Sequence, residues 1–190
     1  MPQFDLRGIQ AAKYVNTAGT ITYTNRQTVG DAMTANLEMR YAEGRLYAES
    51  TLAEYMRKAT GGTISLGVKY LPDAVQKLLF GSREKTRTVG SASVTSLVLG
   101  AKTDSAYVGV GFYAPDMVDG VEKYTCVKVA KCLFGPPSMA LQTAGENIQF
   151  NTPTTSGEFL ADDSADQAMI EVAICDTEEQ AIAWVAAVLT

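Results

Sequence analysis

The sequence predicts an α+β domain built on antiparallel sheet, and three observations carry that expectation. Residues 33–41, MTANLEMRY, place apolar or small side chains at every odd position, and residues 63–70, TISLGVKY, place apolar ones at the even positions. Strict period-two alternation marks strands with one face buried and the other wet. Residues 107–113 alternate in the same way, and the β-branched run 121–133 follows across Asp119-Gly120, a hairpin signal. Two short segments carry helix punctuation instead, one in the first half and one closing the chain.

Taken in order, residues 1–20 are assigned as an N-terminal arm and residues 21–24 as the first strand candidate. The strands 33–41 and 63–70 are joined by roughly twenty residues, far more than an ordinary hairpin needs. This connection, residues 42–61, is expected to be a functional or disordered loop. The segment LPDAVQKLLFG has Pro at a helix start, apolar residues at Val75, Leu78 and Leu79, and Gly81 as its stop. Residues 82–105 are Ser/Thr-rich and weakly patterned, and read as a loop with a short strand at 96–99. Phe134-Gly135-Pro136-Pro137 ends the strand 121–133 because proline cannot donate to a ladder. Residues 147–159 read as a strand with Ile148 and Phe150 inward and Thr152 and Thr154 in line with them. The run 168–174 is the last strand. Asp176, with Glu179 three residues on, reads as the cap of a C-terminal helix over 176–189, whose apolar surface of Ile182, Trp184, Val185, Val188 and Leu189 suits a helix laid over a sheet.

Composition bounds the function. The chain has 190 residues, 46% of them hydrophobic, with a formal charge of −5 and no histidine. That length suits one domain. The acidic balance, with no large basic block, disfavours tight binding of nucleic acid or an anionic membrane. The opening MPQFDLRG lacks a basic stretch followed by an apolar one, and the longest apolar run, 181–189, is too short to span a bilayer, so a soluble chain made in the cytoplasm is expected. Cys126, Cys132 and Cys175 are odd in number and lack metal spacing, and read as reduced structural thiols.

Without histidine the usual general base, the nucleophile pairs and the commonest metal ligand are gone, so no enzyme and no cofactor is expected. Residues 109–114, GVGFYA, fit a dinucleotide fingerprint in form, but Pro115-Asp116 follows where a helix should open, so the glycines read as strand glycines. Residues 162–166 begin like a calcium loop, but Gln167 stands in place of the turn glycine and Ala173 in place of the bidentate Glu. Glu178 and Glu179 suit the helix dipole better than acid–base work. Arg83, Lys85 and Arg87, interrupted by Glu84, read as an exposed basic loop.

Long strands, a long connection and no active site point to an assembly protein whose sheet edges are buried by other copies. The runs TGGTISLGVKYLPDAVQKLLFG, YVGVGFY, GVEKYTCVKVAKCLFGPP, GENIQFNTPTTSGEF and DTEEQAIAWVAAVL, in that order, resemble the major tail proteins, the tail tube subunits, of long-tailed bacteriophages. The resemblance covers residues 21–189. It implies an antiparallel β-sandwich with a flanking helix, hexameric rings stacked into a hollow tube through which DNA passes, and a place in the virion tail. The implied partners are further copies and the tape-measure, tail-terminator and tail-tip proteins, with DNA only in transit. It also implies that residues 42–61 form a stacking arm, ordered only on assembly, that reaches the neighbouring ring. Leu46, Tyr47, Leu52, Tyr55 and Met56 would anchor it, and Glu49, Glu54, Arg57 and Lys58 would set its register. The polar strand faces, Thr34, Asn36, Glu38 and Arg40 on one side and Thr63, Ser65, Gly67 and Lys69 on the other, are the candidates for the lumen. This assignment requires Met33, Leu37, Met39, Ile64, Leu66 and Val68 to point into the core. Two alternatives stand beside it: the tube subunit of a contractile tail, phage-tail-like bacteriocin or secretion system, and a monomeric ligand-binding β-domain using residues 109–114.

Overall fold

The computed structural model describes residues 5–48, 51–100, 103–118, 120–138 and 152–190, apart from the side chains of residues 48 and 52. Among these residues antiparallel sheet dominates, with two short helices, so the expected α+β sandwich class holds. The first hairpin already departs from the sequence reading. β1 (Arg7–Thr17) pairs with β2 (Thr20–Thr28) on one side and β7 (Val108–Val118) on the other. Residues 7–17 are therefore an interior strand and no N-terminal arm. Their side chains are used on both faces, Ile9 and Ala11 in one core cluster and Ala12 and Tyr14 in another, so period-two alternation never shows. The turn between β1 and β2 holds Ala18 and Gly19 at positive φ, as a tight hairpin turn of this hand requires.

β3 (Ala32–Ala48) and β4 (Thr51–Val68) pair along their whole length, and helix α1 (Asp73–Phe80) follows. Pro72 is its N-cap and Gly81, at φ 65°, its left-handed C-cap, as the sequence predicts. A separate hairpin, β5 (Arg83–Val89) with β6 (Ala92–Val98), occupies the segment read as a loop. Both of its faces are largely wet, which erases the apolar alternation by which a strand is recognised. β8 (Val121–Phe134) pairs with β7 along one edge. Its other edge is shared by β10 (Ile170–Cys175) and, nearer its end, β9 (Thr154–Leu160). The sheet order is β2-β1-β7-β8-β9-β4-β3, with β10 branching from β8.

This sheet folds over on itself. Ile9, Val29, Val110, Phe112 and Val129 from one half share a cluster with Ile64, Leu66, Val68 and Phe159 from the other, and Val75, Leu78, Leu79 and Phe80 of α1 complete it. On the opposite face, α2 (Glu178–Val188) lays Ala181 and Val185, with Leu189 just beyond, over Ala12, Tyr14, Tyr23, Tyr113 and Cys126. Its cap is Thr177, one residue later than Asp176: the Thr177 hydroxyl accepts from Gln180 N–H, and Gln180 Oε1 accepts from Asp176 N–H. Of the surface assigned to this helix, Ile182 is exposed. In β9 the inward residues are Thr155, Gly157 and Phe159, so Thr154 faces out, the reverse of the sequence reading. Phe159, fully buried, sets that parity; Ile148 and Phe150 lie outside the described residues.

Close approach at β4 governs the joint between the halves. A Cβ on Gly62 would stand 2.2 Å from the Glu38 carbonyl oxygen and 2.3 Å from Cζ of Phe159, and Gly61 runs at φ 131° with the Phe159 carbonyl in the space of its missing side chain. Neither a backbone oxygen nor a wholly buried ring yields easily. Gly62→Ala is expected to cost about 2–3 kcal/mol through overpacking, read as a lowered urea midpoint; an unchanged midpoint refutes this account of the joint.

The turn at 161–168 is tied down by charge. Asp163 accepts from Lys131 Nζ at 2.8 Å, from Tyr14 Oη at 2.8 Å and from Asn16 Nδ2 at 3.2 Å. These bonds, Lys131 foremost, hold its carboxyl down at about 2. The folded state thus binds the proton later than an ordinary aspartate, near 4, does. The stabilisation is present above about pH 4 and lost as pH falls towards 2. Asp163→Asn is expected to flatten the thermal midpoint against pH across that window, and an unchanged slope refutes it.

Candidate assembly surfaces

The long connection between the two best strand patterns is itself strand. Beyond Arg40↔Gly61, eight further pairs run from Tyr41↔Ala59 to Ala48↔Thr51. At ~3.3 Å per residue they extend the hairpin by about 25 Å. The segment expected to be a loop is a paired β-ribbon within one chain. Local pattern hid it because the ribbon buries neither face. Among its described side chains Ala59 alone is half-buried and the rest are exposed.

Two register shifts shape the ribbon, one at Thr60 and one at Ala53, where an extra residue stands on β4. Such bulges strengthen local twist. Between them the faces differ in chemistry. One carries a ladder of rings and charges: the Arg57 guanidinium lies 3.6 Å from the Tyr41 ring centroid, Glu43 pairs with Arg57 at 3.7 Å and Arg45 at 3.4 Å, and Arg45 lies 5.6 Å from the Tyr55 centroid. The hydrogen bond to Glu43, its largest cause, raises the Tyr55 phenol above its ordinary value. The other face sets Leu46, 58% exposed, and Met56, 73% exposed, around Gly44 and Ala42, with Glu54 and Lys58 among them. Tyr47, 60% exposed, sits near the tip, where its backbone pairs with Leu52. Glu49 lies outside the described residues.

The lumen candidates come together on one polar sheet face at the base of the ribbon. Register sets Thr34 beside Gly67, Asn36 beside Ser65, Glu38 beside Thr63 and Arg40 beside Gly61. Across β4 the same rows continue into β9 as Thr154, Ser156 and Glu158. These three were missed because of the parity error in β9, which the buried Phe159 would have corrected. Arg40 pairs with Glu158 at 2.7 Å, and Lys69, just past the end of β4, with Asp31 at 3.6 Å. Behind this face Ile64, Leu66 and Val68 are fully buried, and Leu37 and Met39 pack on the core. Met33 departs from the expectation. It is the extra residue between the pairs Ala32↔Val68 and Thr34↔Gly67, and this bulge turns it outward to 52% exposure.

The remaining sequence motifs are occupied by packing. A Cβ on Gly109 would stand 2.4 Å from the Tyr23 ring, and one on Gly111 3.0 Å from Val185, so both glycines make room for Tyr23 and α2. β7 runs on through Pro115 without opening a helix. Asp162 accepts from the backbone and side chain of Ser164. Among the described residues no cluster of His, Cys, Asp or Glu is placed to hold a metal, and no helix is long and apolar enough to cross a membrane. Arg83, Lys85 and Arg87 fall at alternate, exposed positions of β5. No protein-family model matches the chain, and neither does any curated protein.

None of the ribbon's described side chains belongs to the core. Leu46→Asp combined with Met56→Asp is expected to leave unfolding stability within about 0.5 kcal/mol of the parent, the ordinary range for surface changes. Chemical denaturation checks this, and a large loss would show that the ribbon folds back on the body.

Proposed function

We propose that this protein is a structural subunit that self-assembles as hexameric rings stacked into a hollow tube, a bacteriophage tail tube through which DNA passes, with further copies as its main partners. The projecting ribbon carries the reading. A two-stranded hairpin is marginal on its own, and this one offers Leu46, Tyr47 and Met56 to solvent on a stem stiffened by stacked Arg–Tyr pairs. Such a shape gains by docking on another molecule. The motif resemblance supplies the partner: the next ring.

The polar face supports the second half of the reading. Its side chains are mostly small hydroxyls and amides, Arg40 is neutralised by Glu158 and Lys69 by Asp31, and Glu38 is left as its net charge. Duplex DNA is held by cations through counterion release. A wall of this kind lets it slide. The packing of Tyr23, Val185 and Leu189 beside Gly109 and Gly111 favours this reading over the ligand-binding alternative.

Negative-stain electron microscopy and size-exclusion chromatography of the concentrated protein, with tail-tip and tape-measure proteins supplied as initiators, test the proposal. Rings or hollow tubes of uniform width are expected from the parent. The Leu46→Asp, Met56→Asp double variant is expected to remain folded and to give no stacked tubes. A parent that stays monomeric under all these conditions overturns the proposal, and tubes of normal length from the double variant remove the ribbon from the stacking contact.

A further inference from the structure

Two of the three cysteines meet. Cys126, in β8, is wholly buried beneath α2, and Cys175, the last residue of β10, is half-buried. Register pairs Cys126 with Ala173, so Cys175 stands two residues along the neighbouring strand, diagonally across the same face. The Cys126 thiol donates to Cys175 Sγ over 3.6 Å. Cys132 is placed differently. A register shift between Val108↔Cys132 and Val110↔Val129 turns it into the main core, where its thiol contacts the Val129 carbonyl.

A disulfide needs its sulfurs at about 2.05 Å, so roughly 1.5 Å of approach must be found. The strand that has to move is the one free to do so. β10 is bonded to β8 along one edge and, among the described residues, to no strand along the other. Cys175 is also its terminus, followed by Asp176 and the α2 cap at Thr177.

We propose that Cys126 and Cys175 form an oxidative cross-linking site, at which a small-molecule disulfide closes a bridge that fastens β10, and with it the C-terminal helix, to the sheet. The Cys175 thiolate attacks one sulfur of the external disulfide, forms a mixed disulfide and expels one external thiolate. Cys126 then releases its proton and attacks the Cys175 sulfur, breaking the mixed disulfide and expelling the second external thiol. Two protein thiols are oxidised by two electrons, and one external disulfide is reduced to two thiols. Cys175 goes first because it is the accessible one. Burial pushes the Cys126 thiol up, so the second step is slow. The same burial shields the finished bridge from external thiols. The site thus forms a lasting fastening rather than a rapid switch, and the bridge shortens the free chain of the unfolded state between residues 126 and 175.

Oxidised glutathione added to the folded full-length protein is the test, read by intact mass, non-reducing peptide mapping and thermal unfolding. The parent and Cys132→Ser are both expected to lose the mass of two hydrogens, to yield the linked Cys126 and Cys175 peptides, and to unfold several degrees higher than their reduced forms. Cys175→Ser is expected to take up no cross-link. A glutathione adduct that persists on Cys175 overturns the proposal. So do two thiols that stay free in the folded parent while the urea-unfolded chain reacts under the same conditions. The site does not depend on the assembly reading, and neither result changes it.

Discussion

The close crossing of β4 against β9 at Gly61-Gly62 is the constraint on which the rest of the structure depends. With no side chains at these two positions, the Phe159 ring and carbonyl lie directly against β4. That contact fixes the register of β9, and therefore which of its residues are wet. It also closes one half of the folded sheet over the other, because Phe159 joins the cluster containing Ile64 and Leu66. On the far side of the glycine pair β3 and β4 leave the body, so the same two residues mark where sandwich ends and ribbon begins.

Most of the body was legible in the sequence because its signals are local. The alternation of residues 33–41 and 63–70, the Pro72 to Gly81 frame of α1 and the β-branched run of β8 each have a cause within a few residues. What escaped notice depends on partners remote in the chain. β1 alternates poorly because it serves two cores, and β5 and β6 because they serve none. The ribbon requires pairing between Tyr41 and Ala59 that no periodicity announces. Among the candidate residues, Thr34, Asn36, Glu38, Arg40, Thr63 and Ser65 do share one face, while Thr154, Ser156 and Glu158 were lost to a one-residue parity error, which sends every side chain of a strand to the opposite side.

Among the described residues two hairpins leave the body, and they differ in kind. β3–β4 grows from the main sheet and carries its own stiffening ladder, whereas β5–β6 is a separate two-stranded sheet with Val89 and Val94 in solvent. Cross-strand hydroxyl contacts such as Thr86 with Thr95 give it some internal cohesion. The body alone therefore accounts for the fold of its core but not for the amount of surface these hairpins leave wet.

The continuity of β4 has a mechanical consequence. The strand that forms one side of the ribbon is hydrogen-bonded to β9 from Gly62 to Gly67, deep in the body. A pull on the ribbon tip along its axis is thus carried into the β4–β9 ladder as shear. All of those bonds share the load at once, instead of opening one after another as in peeling. A ribbon hinged at a flexible loop would swing under the same pull; this one is anchored as a beam is anchored in a wall.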